Sequence, residues 1–99
     1  MEKVGILGLG LIGRLTAELI MPHGYECYAV DRPSTKDFPD MGGILVNTPR
    51  ELAQNCDFLL SALPNVDSAR ETFYGKEGVL SGAHEGLIII EMNTFPVDI

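Results

Sequence analysis

The apolar positions of this chain gather into five short runs, and the kind of sequence between the runs changes along the chain. Val4, Ile6 and Leu7 form the first run, which breaks into Gly8, Gly10 and Gly13 and passes into helical spacing through Leu15, Leu19 and Ile20. That succession predicts a buried strand, a tight turn and a helix. The helix opens at Gly10 or Leu11 and runs to about Met21, where Pro22, His23 and Gly24 close it. Glu26, Cys27, Tyr28, Ala29 and Val30 read as a second strand ending at Asp31. Arg32–Gly43 carries Pro33, Ser34, Pro39 and paired glycines, which predicts an irregular connection with one broken turn before a short third strand, Ile44–Val46.

Thr48 supplies a helix N-cap, Pro49 suits the first helical position, and Glu51 stands three residues after Thr48 as in a capping box. This second helix ends near Asn55. Asp57–Leu63, DFLLSAL, suits a strand covered on both faces and is stopped by Pro64 and Asn65. A further helix starts at Asn65 or Asp67 and runs to about Phe73; Gly75 and Gly78 break it, Val79–His84 makes one short turn, and Leu87–Ile90 is the most apolar strand. Strands alternating with helices in this way predict a parallel sheet with helices on both faces. Right-handed crossovers give the strand order 3-2-1-4-5, a Rossmann-type doubly wound α/β sheet that ends after strand 5.

In that setting the three glycines acquire a chemical meaning. A dinucleotide-binding turn uses its first glycine for the bend, its second for close approach of the pyrophosphate, and its third for helix–strand packing. The expected cradle is Gly8, Leu9, Gly10, Leu11, Ile12 and Gly13, with phosphates held by free N–H groups at the start of the helix. Asp31 follows at about the 20-residue distance at which this fingerprint has its ribose-binding acid. Asp31 favours NAD, because a 2′-phosphate would bring negative charge against it. Arg32 works the other way, since a guanidinium there can pair with that phosphate, so NADP is the alternative cofactor.

Composition narrows the picture further. Ninety-nine residues, 45% hydrophobic and 21% charged, make one small domain. A net charge of −7 offers nucleic acid no basic stripe. No stretch reads as a signal peptide or a membrane span, and none as a repeat or linker. Cys27 and Cys56 lack metal-ligand spacing and read as buried free thiols of a cytoplasmic protein. His23 reads as a favourable charge at a helix end rather than as a catalytic base.

The ordered motifs GLGLIG at Gly8–Gly13, VDR at Val30–Arg32, SALPN at Ser61–Asn65, YGKEGVL at Tyr74–Leu80 and EMNT at Glu91–Thr94 together span nearly the whole chain. They resemble the cofactor-binding domain of the β-hydroxyacid dehydrogenases, which include 3-hydroxyisobutyrate dehydrogenase, tartronate semialdehyde reductase and 6-phosphogluconate dehydrogenase. The resemblance implies that Leu63, Pro64 and Asn65 lie against the cofactor, as does Thr94. It implies that Asn93, standing where the family has serine, faces the substrate carboxylate. It also implies hydride transfer between a nicotinamide cofactor and a 3-hydroxyacid, with a lysine acid/base carried by a further helical domain. Lys3, Lys36 and Lys76 do not match that lysine, so the expectation is the cofactor domain alone, residues 1–99, with no catalytic residue of its own and no metal. Binding of the hydroxyacid would then need the helical domain.

Two other readings remain at this point: a nucleotide-binding or assembly module without chemistry, and the cofactor domain of a prephenate- or arogenate-type dehydrogenase, which shares the first glycine turn. Finally, strand 5 is outermost in the order 3-2-1-4-5 and carries no charge until Glu91. An uncharged apolar edge predicts a two-fold homodimer through that side, unless Phe95–Ile99 folds back over it.

Overall fold

The computed structural model describes residues 2–8, 10–62 and 66–91. Strands β1 (Lys3–Leu7), β2 (Glu26–Val30), β3 (Ile44–Val46), β4 (Phe58–Ser61) and β5 (Ile88–Glu91) form one sheet. All neighbours pair in parallel, in the order β3-β2-β1-β4-β5. Ile6 of β1 is level with Ala29 of β2 and Leu60 of β4, and Leu60 is level with Ile90 of β5. Residues level with one another share a face, so this register sorts every side chain of the sheet.

On one face lies helix α1 (Leu11–Ile20), with Ala17 buried against Ile6, Cys27, Ala29 and Phe38. On the other lie α2 (Pro49–Asn55), α3 (Val66–Tyr74) and α4 (Val79–Gly82). Their side of the core is Leu7, Val30, Leu52, Ala53, Cys56, Leu59 and Val79. The strict alternation Cys27 and Ala29 to one face, Tyr28 and Val30 to the other, follows from the two-residue period of a strand. Gly5 lets α2 come close to β1: a Cβ there would lie 2.6 Å from Leu59 Cδ2 and 2.8 Å from Leu52 Cγ. Among the described residues no helix is long and apolar enough to cross a membrane.

Several expectations are corrected. Arg32–Gly43 holds two short 3-10 turns, Pro33–Thr35 and Phe38–Met41, because buried Thr35 and Phe38 each pin part of it. The capping box at α2 is displaced by one residue. Thr48 Oγ1 accepts from Glu51 N–H at 3.2 Å, but the Glu51 carboxylate accepts from Asn47 N–H, at 2.8 Å, rather than from Thr48. β4 is covered on one face only: Leu59 and Ser61 are buried, whereas Phe58 and Leu60 are half-exposed. On that face α1 and the Phe38–Met41 turn pack against β1 and β2, and none of the described helices covers β4 there. The last strand is shifted by one residue, to Ile88–Glu91.

Candidate functional site

The carboxyl edge of the sheet brings the ends of β1, β2 and β4 together, and the glycine turn rises from the centre of that edge. Gly8 has φ +83°, a left-handed conformation that glycine adopts without strain. Its carbonyl accepts from Gly10 N–H at 2.8 Å. Gly13 faces the turn at close range, since a Cβ there would sit 2.7 Å from Gly8 O and 3.1 Å from Ile6 Cγ2. Above Gly10 there is open space, with nothing among the described residues within 4 Å of where a Cβ would be. The first and third glycines thus shape the chain, while the second leaves room for something outside it.

The start of α1 suits an anion. Its first helical hydrogen bond runs from Arg14 N–H to Gly10 O, 2.9 Å, so the N–H groups of Leu11, Ile12 and Gly13 precede the ladder. Gly10 is the N-cap, no side chain among the described residues caps the helix, and no acidic residue lies in its first turn. Uncapped amides at the positive end of a ten-residue helix can receive a diphosphate. Leu9 lies outside the described residues.

Beside this turn, β2 delivers Asp31 and Arg32. Asp31 N–H donates to Val46 O at 2.7 Å, which holds the start of the loop to β3. Thr35, only 4% exposed, is the loop's internal post. Its hydroxyl accepts from Arg32 N–H at 2.8 Å and lies 2.9 Å from Val30 O, to which it donates. Asp31 and Arg32 are both exposed, and Lys36 Nζ reaches Asp31 Oδ1 at 2.7 Å. Further on, Asp37 takes a two-pronged ion pair from Arg14 of α1, at 2.8 and 2.9 Å. The Arg14 guanidinium holds the Asp37 carboxyl below the usual carboxylate range. Thr35, Lys36, Arg14 and Asp37 are absent from the sequence reading of the site. Of these only Lys36 leaves a signal in the sequence, a cation inside an otherwise turn-like stretch.

On the far side of the turn, Ala62 N–H donates to Leu7 O at 2.8 Å and brings the end of β4 beside Gly8. The Ser61 side chain is fully buried there, and its hydroxyl has no hydrogen-bond partner among the described residues. Leu63, Pro64, Asn65, Asn93 and Thr94 lie outside the described residues. Lys3 stands at the opposite, amino edge of the sheet, and Lys76 in the turn after α3. Cys27 and Cys56 are free and buried. Burial, with Asp57 adding to it, pushes the Cys56 thiol up to about 12, so it stays protonated and is no nucleophile. Among the described residues no cluster of three or more His, Cys, Asp or Glu could hold a metal.

Comparison with known proteins bears on this geometry. Residues 3–98 match the family model described as the NAD binding domain of 6-phosphogluconate dehydrogenase. Human mitochondrial 3-hydroxyisobutyrate dehydrogenase is 33% identical over 93 residues, 92% of this chain but 28% of that enzyme. The 3-hydroxyisobutyrate dehydrogenase of Mycobacterium tuberculosis, solved with L-serine, superposes with a TM-score of 0.84 at 21% identity, covering 99% of this chain and 33% of that one. An imine reductase variant from Myxococcus stipitatus in complex with NAD+ superposes with a TM-score of 0.81 at 15% identity, over 93% of this chain and 31% of that one. The chain thus spans about a third or less of the length of the proteins it is similar to.

Proposed function

Because this chain belongs to the family of NAD-binding domains of 6-phosphogluconate dehydrogenase, matched over residues 3–98, we propose that its dinucleotide lies along the carboxyl edge of the sheet. The pyrophosphate rests on Gly8, Leu9, Gly10, Leu11, Ile12 and Gly13, and the adenosine ribose on Asp31. The observation that carries this reading is the uncapped start of α1 with open space over Gly10. NAD is the preferred cofactor, because the Asp31 carboxylate accepts from both ribose hydroxyls. Its pair with Lys36 is solvent-exposed and so worth about 0–1 kcal/mol, little enough for a ribose to displace. Arg32 and Lys36 place cations in the same corner, so NADP remains the alternative ligand.

Similarity to the 3-hydroxyisobutyrate dehydrogenases supports a wider role in an oxidoreductase acting on a 3-hydroxyacid. When bound, the nicotinamide supplies or accepts the hydride. The chain's own part is to grip the phosphates, orient the ribose and fix where the nicotinamide falls. Leu63, Pro64, Asn65 and Thr94 are assigned to the cofactor and Asn93 to the substrate carboxylate on the family resemblance. Two buried free thiols suit a reducing compartment, the cytoplasm. Two chains are proposed to associate through β5, whose Ile88, Ile89 and Ile90 are 50%, 40% and 45% exposed.

The test is a titration of the chain with NADH and NADPH, followed by nicotinamide fluorescence or calorimetry. Saturable binding of both, with NADH the tighter, is expected. Absence of binding by either ligand overturns the reading, and tighter NADPH reverses the assignment of Asp31.

A further inference from the structure

The winding of the sheet keeps its own connections off one part of it. Right-handed crossovers put α2, α3 and α4 on the face of Leu59, and a connection from β5 to a further parallel strand outside it would fall on that face too. The other face carries only α1 among the described helices, over β1 and β2. Phe58 with Ile88, and Leu60 with Ile90, stand level on the remaining half of that face; Phe58 and Leu60 are half-exposed and the isoleucines exposed. Helix α1 forms a side wall. Arg14 leans toward Asp37 in the loop between β2 and β3, so at about 100° per residue Leu15 and Leu19 fall on the flank away from that loop, where Leu19 is 70% exposed. The result is an apolar notch with a floor two strands wide, about 10 Å, and one helix for a wall. A single α-helix with its side chains is about 10–12 Å across and fits that width.

We propose that this notch docks a cationic amphipathic helix presented by a partner polypeptide. The floor residues Phe58, Leu60, Ile88 and Ile90 carry no charge, and an apolar stripe at i, i+3, i+4 and i+7 is the helical surface that covers such a floor. Contiguous exposed apolar side chains on this scale mark interaction surfaces. The rim sets the sign of the partner's flanks. Glu18 stands one turn along α1 from Leu15, and Glu2 and Glu85 precede β1 and β5 at the amino edge; all three are exposed. The cations of α1 and β1 turn elsewhere: Arg14 pairs with Asp37, and Lys3 falls on the Leu59 face by the strand period. Lysine or arginine on the partner's flanks therefore meets carboxylates, which steers its approach and selects against an acidic helix. A helix on the face takes no backbone hydrogen bond from β5, so the edge of that strand stays free to pair with a second chain.

The probe is a fluorescein-labelled helical peptide of about five turns, with leucine at the i, i+3, i+4, i+7 spacing and lysine elsewhere, titrated with the chain and followed by anisotropy. A counterpart peptide carries glutamate for lysine. Saturable binding of the lysine peptide, weakened by salt, is expected, with no binding of the glutamate peptide. Leu60→Lys and Ile90→Lys each put a charge on the floor and lower the affinity by at least about ten-fold. Ile89→Lys adds the same charge on the Leu59 face and binds as wild type does, which separates docking from general attraction to an acidic chain. Thermal melts check each fold, and Ile90→Lys, at an exposed position, carries the test if Leu60→Lys unfolds. Equal loss in all three variants, equal binding of the two peptides, or binding of neither overturns the proposal. So does a fall in mass by light scattering for Leu60→Lys with none for Ile89→Lys, because a second copy of the chain then fills the notch.

Discussion

At the scale of single residues, the glycines of the first turn separate by what surrounds them. Gly10 is exposed with φ −92°, a value any residue adopts, and none of the described residues occupies the space beside it. Gly10→Ala is therefore expected to fold as wild type does but to lose at least about ten-fold in NADH affinity, equivalent to about 1.4 kcal/mol. Gly13→Ala meets a backbone oxygen 2.7 Å away, which cannot yield as a flexible side chain would. It should cost about 1–3 kcal/mol of stability. Urea melts and a fluorescence titration distinguish the two; full affinity in folded Gly10→Ala would remove the phosphates from this turn. Ser61 is the opposite kind of residue: its orphaned hydroxyl is visible only once β1, β4 and β5 are assembled around it.

At the scale of elements, β5 is held at its amino end by a contact that depends on pH. His84 Nε2 lies 2.8 Å from Cys56 O and Nδ1 lies 3.0 Å from Glu85 O. A neutral imidazole has one N–H to donate, so only the imidazolium satisfies both carbonyls. The Glu85 carbonyl, then that of Cys56, with the Asp57 charge adding to them, raises the His84 pKa above its usual value near 6.5. A raised folded-state pKa gives stability that is complete below the ordinary histidine range and is lost as pH rises through the raised value. Thermal melts of wild type and His84→Gln should therefore differ more at pH 6 than at pH 8.5. An equal difference at both values would show that the ring acts by packing alone. The neighbouring helix α2 shows the same reliance on backbone partners, with Thr48 and Glu51 each holding a separate N–H.

At the scale of the whole molecule, the two faces of the sheet are unequally dressed. Three helices cover the face of Leu59, whereas α1 covers only the β1 and β2 part of the other. Leu60 and Ile90, level with buried Ile6, are left half-exposed and exposed on that face. Exposed isoleucines along a sheet edge favour pairing with another chain. Light scattering at micromolar concentration is expected to give twice the chain mass, and Ile89→Lys to give the monomer. A wild-type monomer would exclude the two-fold arrangement through β5.

How much of this was legible beforehand depends on the range of the interactions involved. Strand positions, the helix after the glycines, the cap at Thr48 and the order 3-2-1-4-5 were readable because period, turn chemistry and crossover hand are local rules. The tight turn at Gly8, Gly10 and Gly13 was readable for the same reason, since their spacing carries it. Of the charged residues at the end of β2 and in the loop after it, the sequence drew attention to Asp31 and Arg32. Arg14 and Asp37 meet across 23 residues, and a surface arginine and aspartate carry no mark of partnership in the sequence. Thr35 and Phe38 look like turn residues until the core closes over them. The one-sided cover of β4 was hidden too, because an apolar run reads alike whether one face or both are buried, and only the packing of helices on the assembled sheet decides which.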